Sequence, residues 1–360
     1  MKISFTWPDH LIPMVAPLGD GRHMVDLFIN SILLENDESV SRRLTRIILD
    51  LMVQDNPIWR MEIPVPALTS HLAIDAELNS LSSESKRNLV GEYLAEHMDS
   101  LQTDLTFQPG SKGLFRRFPI RFLAASVPDT LIARAFSGTH LIGRAETAIV
   151  PFVGKRAYHF PLKEIWQVVN NYDNTLGHRV YAGQEFAIDL VKLGENGLIR
   201  KGQSNDPTDY YGFGLPVEAM HDGDIIAAES RLPDNPAECT GATDQFNRHV
   251  KKFGYLSALL GNHIIVQHDQ DRYSFYAHLQ KDSITVKEGG RVRRGASIAN
   301  VGNSGACAYA HLHIQLNEGT NPLGSRGLPM TFTNLANVFG QNLPFITQNN
   351  LVVHRIENPS

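Results

Sequence analysis

The hydrophobic pattern of this chain changes character along its length. Between residues 20 and 105, apolar residues recur at positions i, i+3, i+4 and i+7, which is the spacing of one helix face. Three stripes follow this spacing: Val25, Phe28, Ile29 and Ile32; Val40, Leu44, Ile47, Ile48 and Leu51; and Val90, Leu94, Met98 and Leu101. The pattern predicts a mainly helical N-terminal region over residues 1–105.

Short β-like runs replace the helical spacing after residue 105. Runs of Ile, Val and Phe broken by Gly and Pro predict a small β segment over residues 106–160, which joins the N-terminal region to the rest of the chain. Over residues 161–338, short apolar runs alternate with Gly, Asn and Asp, and glycine permits the positive φ of tight turns. This part is predicted to be an all-β antiparallel sandwich, followed by a C-terminal tail over residues 339–360. The chain as a whole is therefore predicted to be α+β.

The predicted sandwich is interrupted by an insertion over residues 231–261. It begins with a Pro-Asp-Asn-Pro turn and continues with a helix-like stretch over residues 246–260. The insertion is interpreted either as a wall or lid of a cleft or as a surface loop with no role.

Composition excludes several classes of function. The chain has 360 residues, 42% of them hydrophobic and 20% charged, as is ordinary for a globular protein. Its formal net charge of −5 argues against a nucleic-acid partner. No run of about 18 apolar residues predicts a transmembrane helix, and Pro8 and Asp9 come too early for a secretory signal. Cys239 and Cys307 are too few for a disulfide scaffold, and whether they pair is left open.

Candidate chemistry centres on residues 310–316. His311 and His313 are two positions apart in an apolar run, so on a strand both side chains leave the same face. Two neighbouring imidazoles suit a zinc site, but a pair of packed core histidines has the same pattern. His278 stands at the end of another predicted strand, and Asp189 lies alone in an apolar one, where a carboxylate is costly unless it is paired or metal-bound.

These motifs, in this order, resemble the lysostaphin-type (LytM-like) zinc metallopeptidases, enzymes that cut peptide cross-links of bacterial peptidoglycan. The matching pieces are Gly214–Ala219 with Asp222-Gly223, Gly261–His268 leading into Tyr276–Leu279, the glycine-punctuated hairpins of Val286–Gly302, and Gly302–Gly305 before His311–His313. The resemblance implies a duplicated hybrid motif fold, one zinc ion per chain, and a peptide or peptidoglycan stem or cross-bridge as substrate. It extends from about Phe160 to Asn334 and does not reach the N-terminal 150 residues.

The resemblance also implies roles for four residues. Asp189 and His313 would be zinc ligands. His311 would hold or deprotonate the nucleophilic water, and His278 would be the second catalytic histidine, which stabilises the oxyanion.

The third zinc ligand departs from the usual family pattern. That pattern has a histidine four residues before the ligand Asp189, and here the position is occupied by Glu185. A subgroup of the family with a histidine further upstream implies that His178 is the third ligand. Glu185 is the alternative, because residues i and i+4 share a strand face and carboxylates bind zinc.

The predicted function is therefore a zinc-dependent endopeptidase that hydrolyses peptidoglycan-type cross-links. The variant first ligand supports an alternative, a catalytically inactive LytM-like binding or regulatory module. The glycine-turn pattern is also similar to sugar-transport phosphocarrier domains, which use two facing histidines, and to lipoyl or biotinyl carriers, although no lysine stands at a matching turn. The substrate class favours a periplasmic, extracellular or exported protein, but no standard signal is visible, so the localisation stays open.

Overall fold

The chain folds into two units, each built around its own β-sheets. The computed structural model describes residues 1–6, 9–76, 101–154, 156–174, 177–237, 243–343, 346 and 350–354. Unit 1 comprises Met1–Val153 and Val180–Ala182, and unit 2 comprises Gly154–Arg179 and Gly183–Ser360.

Unit 1 is mostly β-sheet in its described part. Its elements are β1 (Lys2–Phe5), β2 (His10–Leu11), β3 (Met14–Pro17), β4 (His23–Glu35), β5 (Arg42–Arg43), β6 (Arg46–Val53), β7 (Asn56–Pro64), α1 (Val65–Ala76), β8 (Thr106–Phe107), β9 (Lys112–Ala124), β10 (Thr130–Ser137) and β11 (His140–Ile149). One sheet has the order β1-β4-β3 with β9 also paired to β4, the second has the order β2-β11-β10-β6-β7, and β5 pairs with β8. Apolar side chains from both larger sheets form the core of this unit.

The prediction of helices from the first and second stripes is wrong. The first stripe lies in β4, and most of the second lies in β6. Leu27, Phe28 and Ile29 are consecutive in β4 and each is at most 2% exposed, so both faces of this strand are buried. Such a strand carries apolar residues on both faces instead of on alternate positions only, and a helical spacing can then be found in it by chance. The third stripe lies outside the described residues except for Leu101, which forms a β-bridge with Lys112.

The segment predicted to join the two regions, residues 106–160, does contain strands, but most of it is an integral part of unit 1. Strand β9 pairs with β4 along its length, and β10 pairs with β6. These hydrogen bonds connect residues far apart in sequence. Local patterns therefore predicted the strands but not the unit to which they belong.

Unit 2 is the antiparallel β region that the sequence predicted. Its elements are β12 (Ile165–Asn170), β13 (Ile188–Val191), β14 (Pro216–Glu218), β15 (Gly223–Glu229), α2 (Thr243–Phe253), α3 (Tyr255–Leu260), β16 (Asn262–Asp269), β17 (Arg272–Leu279), β18 (Arg291–Val292), β19 (Ser297–Asn300), β20 (Leu312–Asn317), β21 (Leu335–Asn337) and β22 (Leu351–His354). Nine strands form one sheet in the order β18-β15-β16-β17-β20-β13-β12-β22-β21, and β14 pairs with β19. With a few helices among many strands, the α+β class is confirmed.

The predicted insertion and the predicted C-terminal tail of unit 2 both contain regular secondary structure. Helices α2 and α3 occupy the helix-like part of the insertion, and α3 ends directly before β16. The predicted C-terminal tail contains β22, which pairs with both β12 and β21 and so is part of the large sheet rather than a free tail. In the described part of the chain, no helix has the length and hydropathy needed to cross a membrane.

Candidate metal centre and catalytic site

Two neighbouring strands in the middle of the nine-stranded sheet place a carboxylate beside a histidine. Asp189 on β13 and His313 on β20 are register partners in an antiparallel pair. Side chains that face each other in such a pair lie on the same side of the sheet. Both strands are buried at every position. The strand pairing thus holds an acid and an imidazole together away from solvent.

His178, in a short 3₁₀ helix over His178–Val180, completes a group of three candidate ligands. Nδ1 of His313 lies 3.0 Å from Oδ1 of Asp189, and Nε2 of His178 lies 3.3 Å from Oδ2 of the same carboxylate. One donor atom from each residue lies within 4.8 Å of the others. Glu185, the alternative third ligand, instead has its Oε1 3.8 Å from Nε of the buried Arg179. The structure therefore brings His178, and not Glu185, to the aspartate–histidine pair.

Two further histidines lie near this group, one beside the carboxylate and one beside the other rings. Nε2 of His311 lies 3.5 Å from Oδ1 of Asp189. The ring centroid of His278 lies 4.6 Å from that of His311 and 5.9 Å from that of His313. His278 has a φ of 60°, a left-handed conformation that residues other than glycine rarely adopt. Strained backbone of this kind clusters at functional sites.

Two backbone carbonyls determine which nitrogen of two rings carries a proton. Nδ1 of His311 lies 2.9 Å from the carbonyl oxygen of Tyr309, and Nδ1 of His278 lies 2.9 Å from that of Ser304. Because a carbonyl oxygen only accepts, each Nδ1 carries a proton, and in the neutral ring the lone pair is on Nε2. Every residue has a backbone carbonyl, so the identities of Tyr309 and Ser304 did not indicate these contacts in the sequence.

Two side-chain amides beside the candidate ligands were also missed by sequence reasoning. Oε1 of Gln315 lies 2.7 Å from Nε2 of His313, and Nδ2 of Asn170 donates to Oδ2 of Asp189 at 3.2 Å. A signal existed for Gln315, because it shares the alternating face of β20 with His313. None existed for Asn170, which comes from β12 and reaches the site only through strand pairing.

Burial and neighbouring charges set the protonation of the site. Burial alone would raise the pKa of Asp189, but the neighbouring imidazoles, His178 and His311 foremost, outweigh it and hold that pKa well below its ordinary value. Burial lowers the pKa of His178 to about 4, against the opposing charge of Asp189. Burial, reinforced by His311, also holds the pKa of His278 well below its ordinary value. At neutral pH the carboxylate is therefore ionised, and the rings of His178 and His278 are neutral, the form that binds metals.

The donor set fits a zinc ion. With a proton on Nε2 facing Gln315, His313 directs the Nδ1 lone pair at Oδ1 of Asp189, so two lone pairs face each other unless a proton or cation lies between them. His178 adds a nitrogen beside the other carboxylate oxygen. Nδ1 of His178 is buried and makes no hydrogen bond of standard geometry to the described residues. The nearby backbone of Ala187 acts to raise the pKa of His178, but burial outweighs it. Two imidazoles and one carboxylate are a ligand set of zinc enzymes that keep a fourth position open.

Comparison with known protein families identifies one segment of unit 2. Residues 246–324 match the family model for Peptidase family M23, and this segment includes His278, His311 and His313 but not His178 or Asp189. The match confirms the resemblance that the motifs indicated, and it supports a peptidase. Peptidoglycan DD-endopeptidase ShyA of Vibrio cholerae serotype O1 is 41% identical over 56 residues, which are 16% of this chain and 13% of ShyA. The match thus spans only a small part of that relative.

Several solved structures are similar to the chain. A variant of the catalytic domain of the prophage-encoded M23 protein EnpA from Enterococcus faecalis is 19% identical, with 49% of this chain and 95% of that chain covered and a TM-score of 0.30. The catalytic domain of lysostaphin from Staphylococcus simulans is 17% identical, with 47% and 86% covered and a TM-score of 0.25. A zinc-containing peptidase from Vibrio cholerae is 15% identical, with 88% and 83% covered and a TM-score of 0.29.

Proposed function

Since the chain carries a segment of peptidase family M23, we propose that it is a zinc-dependent endopeptidase that hydrolyses peptide bonds of peptidoglycan-type cross-links. The observation that carries the proposal is the convergence of imidazole nitrogens on the buried carboxylate of Asp189. The similarity to a peptidoglycan DD-endopeptidase supports the substrate class.

His178, Asp189 and His313 would hold the metal through the atoms that already face one another. A zinc ion bound there would lower the pKa of a water ligand to near 7 and would polarise a carbonyl oxygen. Asn170 supports the set by donating to Oδ2 of Asp189. Because this bond orients the carboxylate, its oxygens stay directed at the two histidines.

His311 is the proposed general base. Its Nδ1 proton is held by the Tyr309 carbonyl, so the Nε2 lone pair lies on the side of Asp189, where it can take a proton from an attacking water. The carbonyl contact also stabilises the ring after Nε2 is protonated, because both nitrogens then donate.

His278 is the proposed oxyanion partner. In its neutral form Nδ1 donates to Ser304 and Nε2 has no proton to donate, so support of an oxyanion requires the protonated ring. Its ring lies 4.6 Å from that of His311, which places it beside the group that gains a proton when water attacks. We therefore propose that the two histidines act in sequence. Nε2 of His311 takes the proton from the attacking water and passes it to Nε2 of His278, and the protonated His278 ring then donates a hydrogen bond to the oxyanion.

Metal analysis combined with digestion of purified peptidoglycan tests the proposal. We expect about one zinc per chain, release of soluble cross-link fragments, and loss of both in His313→Ala and Asp189→Ala, because each change removes a ligand. His140→Ala, at an exposed position of β11, is the control and should match the wild type. A folded wild-type chain that binds no zinc and releases no fragments would contradict the proposal and leave the binding-module alternative.

A further inference from the structure

We propose that Gln315 is a positioning residue that fixes the metal-facing nitrogen of His313 and prepares the donor set before a metal arrives. The inference rests on the metal site of the proposed function and adds a residue to it. Gln315 lies on β20, two positions after His313, and is 1% exposed. A side-chain amide at that depth must satisfy its hydrogen bonds with protein groups.

The orientation of the Gln315 amide follows from its partners. Its Nε2 lies 2.9 Å from the carbonyl oxygen of Pro322 and 3.3 Å from that of Gly183, and both of these groups can only accept. Its third partner is Oδ1 of Asn317 at 2.9 Å. Reversing the amide would place its oxygen against these acceptors, so the nitrogen must face them and Oε1 must face His313.

This orientation determines the tautomer of His313. Oε1 of Gln315 can only accept, so Nε2 of His313, at 2.7 Å, must carry a proton. The lone pair of the neutral ring is then on Nδ1, the atom that lies 3.0 Å from Asp189. A hydrogen bond to the outer nitrogen is the usual means by which proteins orient a histidine that binds metal.

The same amide connects β20 to the chain segment between two other candidate ligands. Gly183 stands between His178 and Asp189 in the sequence, and its carbonyl accepts from Gln315. Its backbone nitrogen donates to the carbonyl of Leu323 at 3.0 Å, and a Cβ at this glycine would clash with the Pro322 backbone. Gln315 therefore links the strand that carries one ligand to the turn that leads to another.

Two substitutions separate the acceptor of Gln315 from its donors. Gln315→Met keeps the approximate size and removes both, whereas Gln315→Glu keeps an acceptor toward His313 and removes the donors. We expect zinc affinity to fall about 10–100-fold in Gln315→Met, as for other hydrogen-bond partners of metal ligands, and less in Gln315→Glu. Gln267→Met on β16 is the matched control, because this glutamine binds Tyr273 and should not affect zinc.

The test combines zinc competition against a chelator with proton–nitrogen correlation NMR of the imidazoles, with and without zinc. We expect a proton on Nε2 of His313 in the wild type and in Gln315→Glu. In Gln315→Met we expect this proton to be lost or to exchange rapidly. Wild-type affinity and an unchanged Nε2 proton in folded Gln315→Met would overturn the inference. If Gln315→Met does not fold, absence of the Nε2 proton in folded Gln315→Glu would overturn it. If the wild-type chain binds no zinc but shows the expected proton pattern, the proposed function is refuted, and the role of Gln315 in fixing the tautomer of His313 is still supported.

Discussion

Two clusters of histidines in the described part of unit 2 differ in their chemistry. In the candidate metal centre, nitrogens of His178, His311 and His313 lie within 3.5 Å of one carboxylate. In a second cluster, called here the His268 cluster (His268, His221 and Tyr158), ring centroids lie 5.6–6.1 Å apart.

The difference lies in where the nitrogens point. Nδ1 of His268 donates to the carbonyl of Asp222 at 2.8 Å, and its Nε2 bonds to Oγ of Ser274 at 2.9 Å, so both nitrogens are satisfied by the protein. Rings in contact therefore do not make a metal site. A metal site is distinguished by nitrogens that converge on a common point, as those of His178, His311 and His313 do on the carboxylate of Asp189.

Removing one ring from each cluster should have very different consequences for activity. His311→Ala removes the proposed base, and we expect hydrolysis of peptidoglycan to fall about 10²–10⁴-fold while zinc stays bound, since general bases contribute factors of this size. His268→Ala, in the other cluster, should leave the rate per folded molecule near that of the wild type. Rates on purified peptidoglycan with metal analysis of both variants check this. If His311→Ala and His268→Ala lost the same share of the hydrolysis rate, the two clusters would not differ in function as proposed.

The proposed third ligand allows a similar comparison between two residues of the site, His178 and Glu185. His178→Ala should weaken zinc binding by more than about 100-fold, because losing a ligand exceeds the usual 10–100-fold cost of losing a ligand's hydrogen-bond partner. Glu185→Gln should retain wild-type zinc affinity, since its carboxylate lies beside Arg179. Chelator competition with both purified variants measures the effect. The opposite order of affinities would identify Glu185 as the ligand.

The smallest expected effect is a pH dependence of stability from the His268 cluster. Burial lowers the pKa of His268 to about 4, so between about pH 6.5 and 4 the unfolded chain binds a proton that the folded chain does not. Stability from this group is then complete above about pH 6.5 and is lost as the pH falls to about 4, by at most about 3 kcal/mol. Denaturant unfolding from pH 4 to 8 should show a shallower loss in His268→Asn than in the wild type or the exposed-site control His140→Asn. Identical pH profiles for all three would refute this.

The N-terminal unit shows the limit of periodicity. Strand β4 carries apolar residues on both faces, because it is buried from both sides. Some of these residues happen to follow a helical spacing, so the sequence predicted a helix there. The segment from His311 into strand β20 was easier to interpret. Its histidines alternate with leucine and isoleucine, which predicts a strand with both imidazoles on one face. Alternation survives in the sequence only where the two faces have different chemistry.

The sequence by itself identified the main candidate residues of the site, Asp189, His278, His311 and His313. The spacing of His311 and His313, the isolated Asp189 and the order of the glycine turns all follow from local strand geometry, which has a period of two residues. Tertiary structure alone decided which distant residue joins them. It brought His178 to Asp189, paired Glu185 with Arg179, and supplied the carbonyls and the Gln315 amide that orient the rings. Hydrogen-bond direction and strand register depend on groups far apart in sequence, and many of them are backbone atoms that every residue shares.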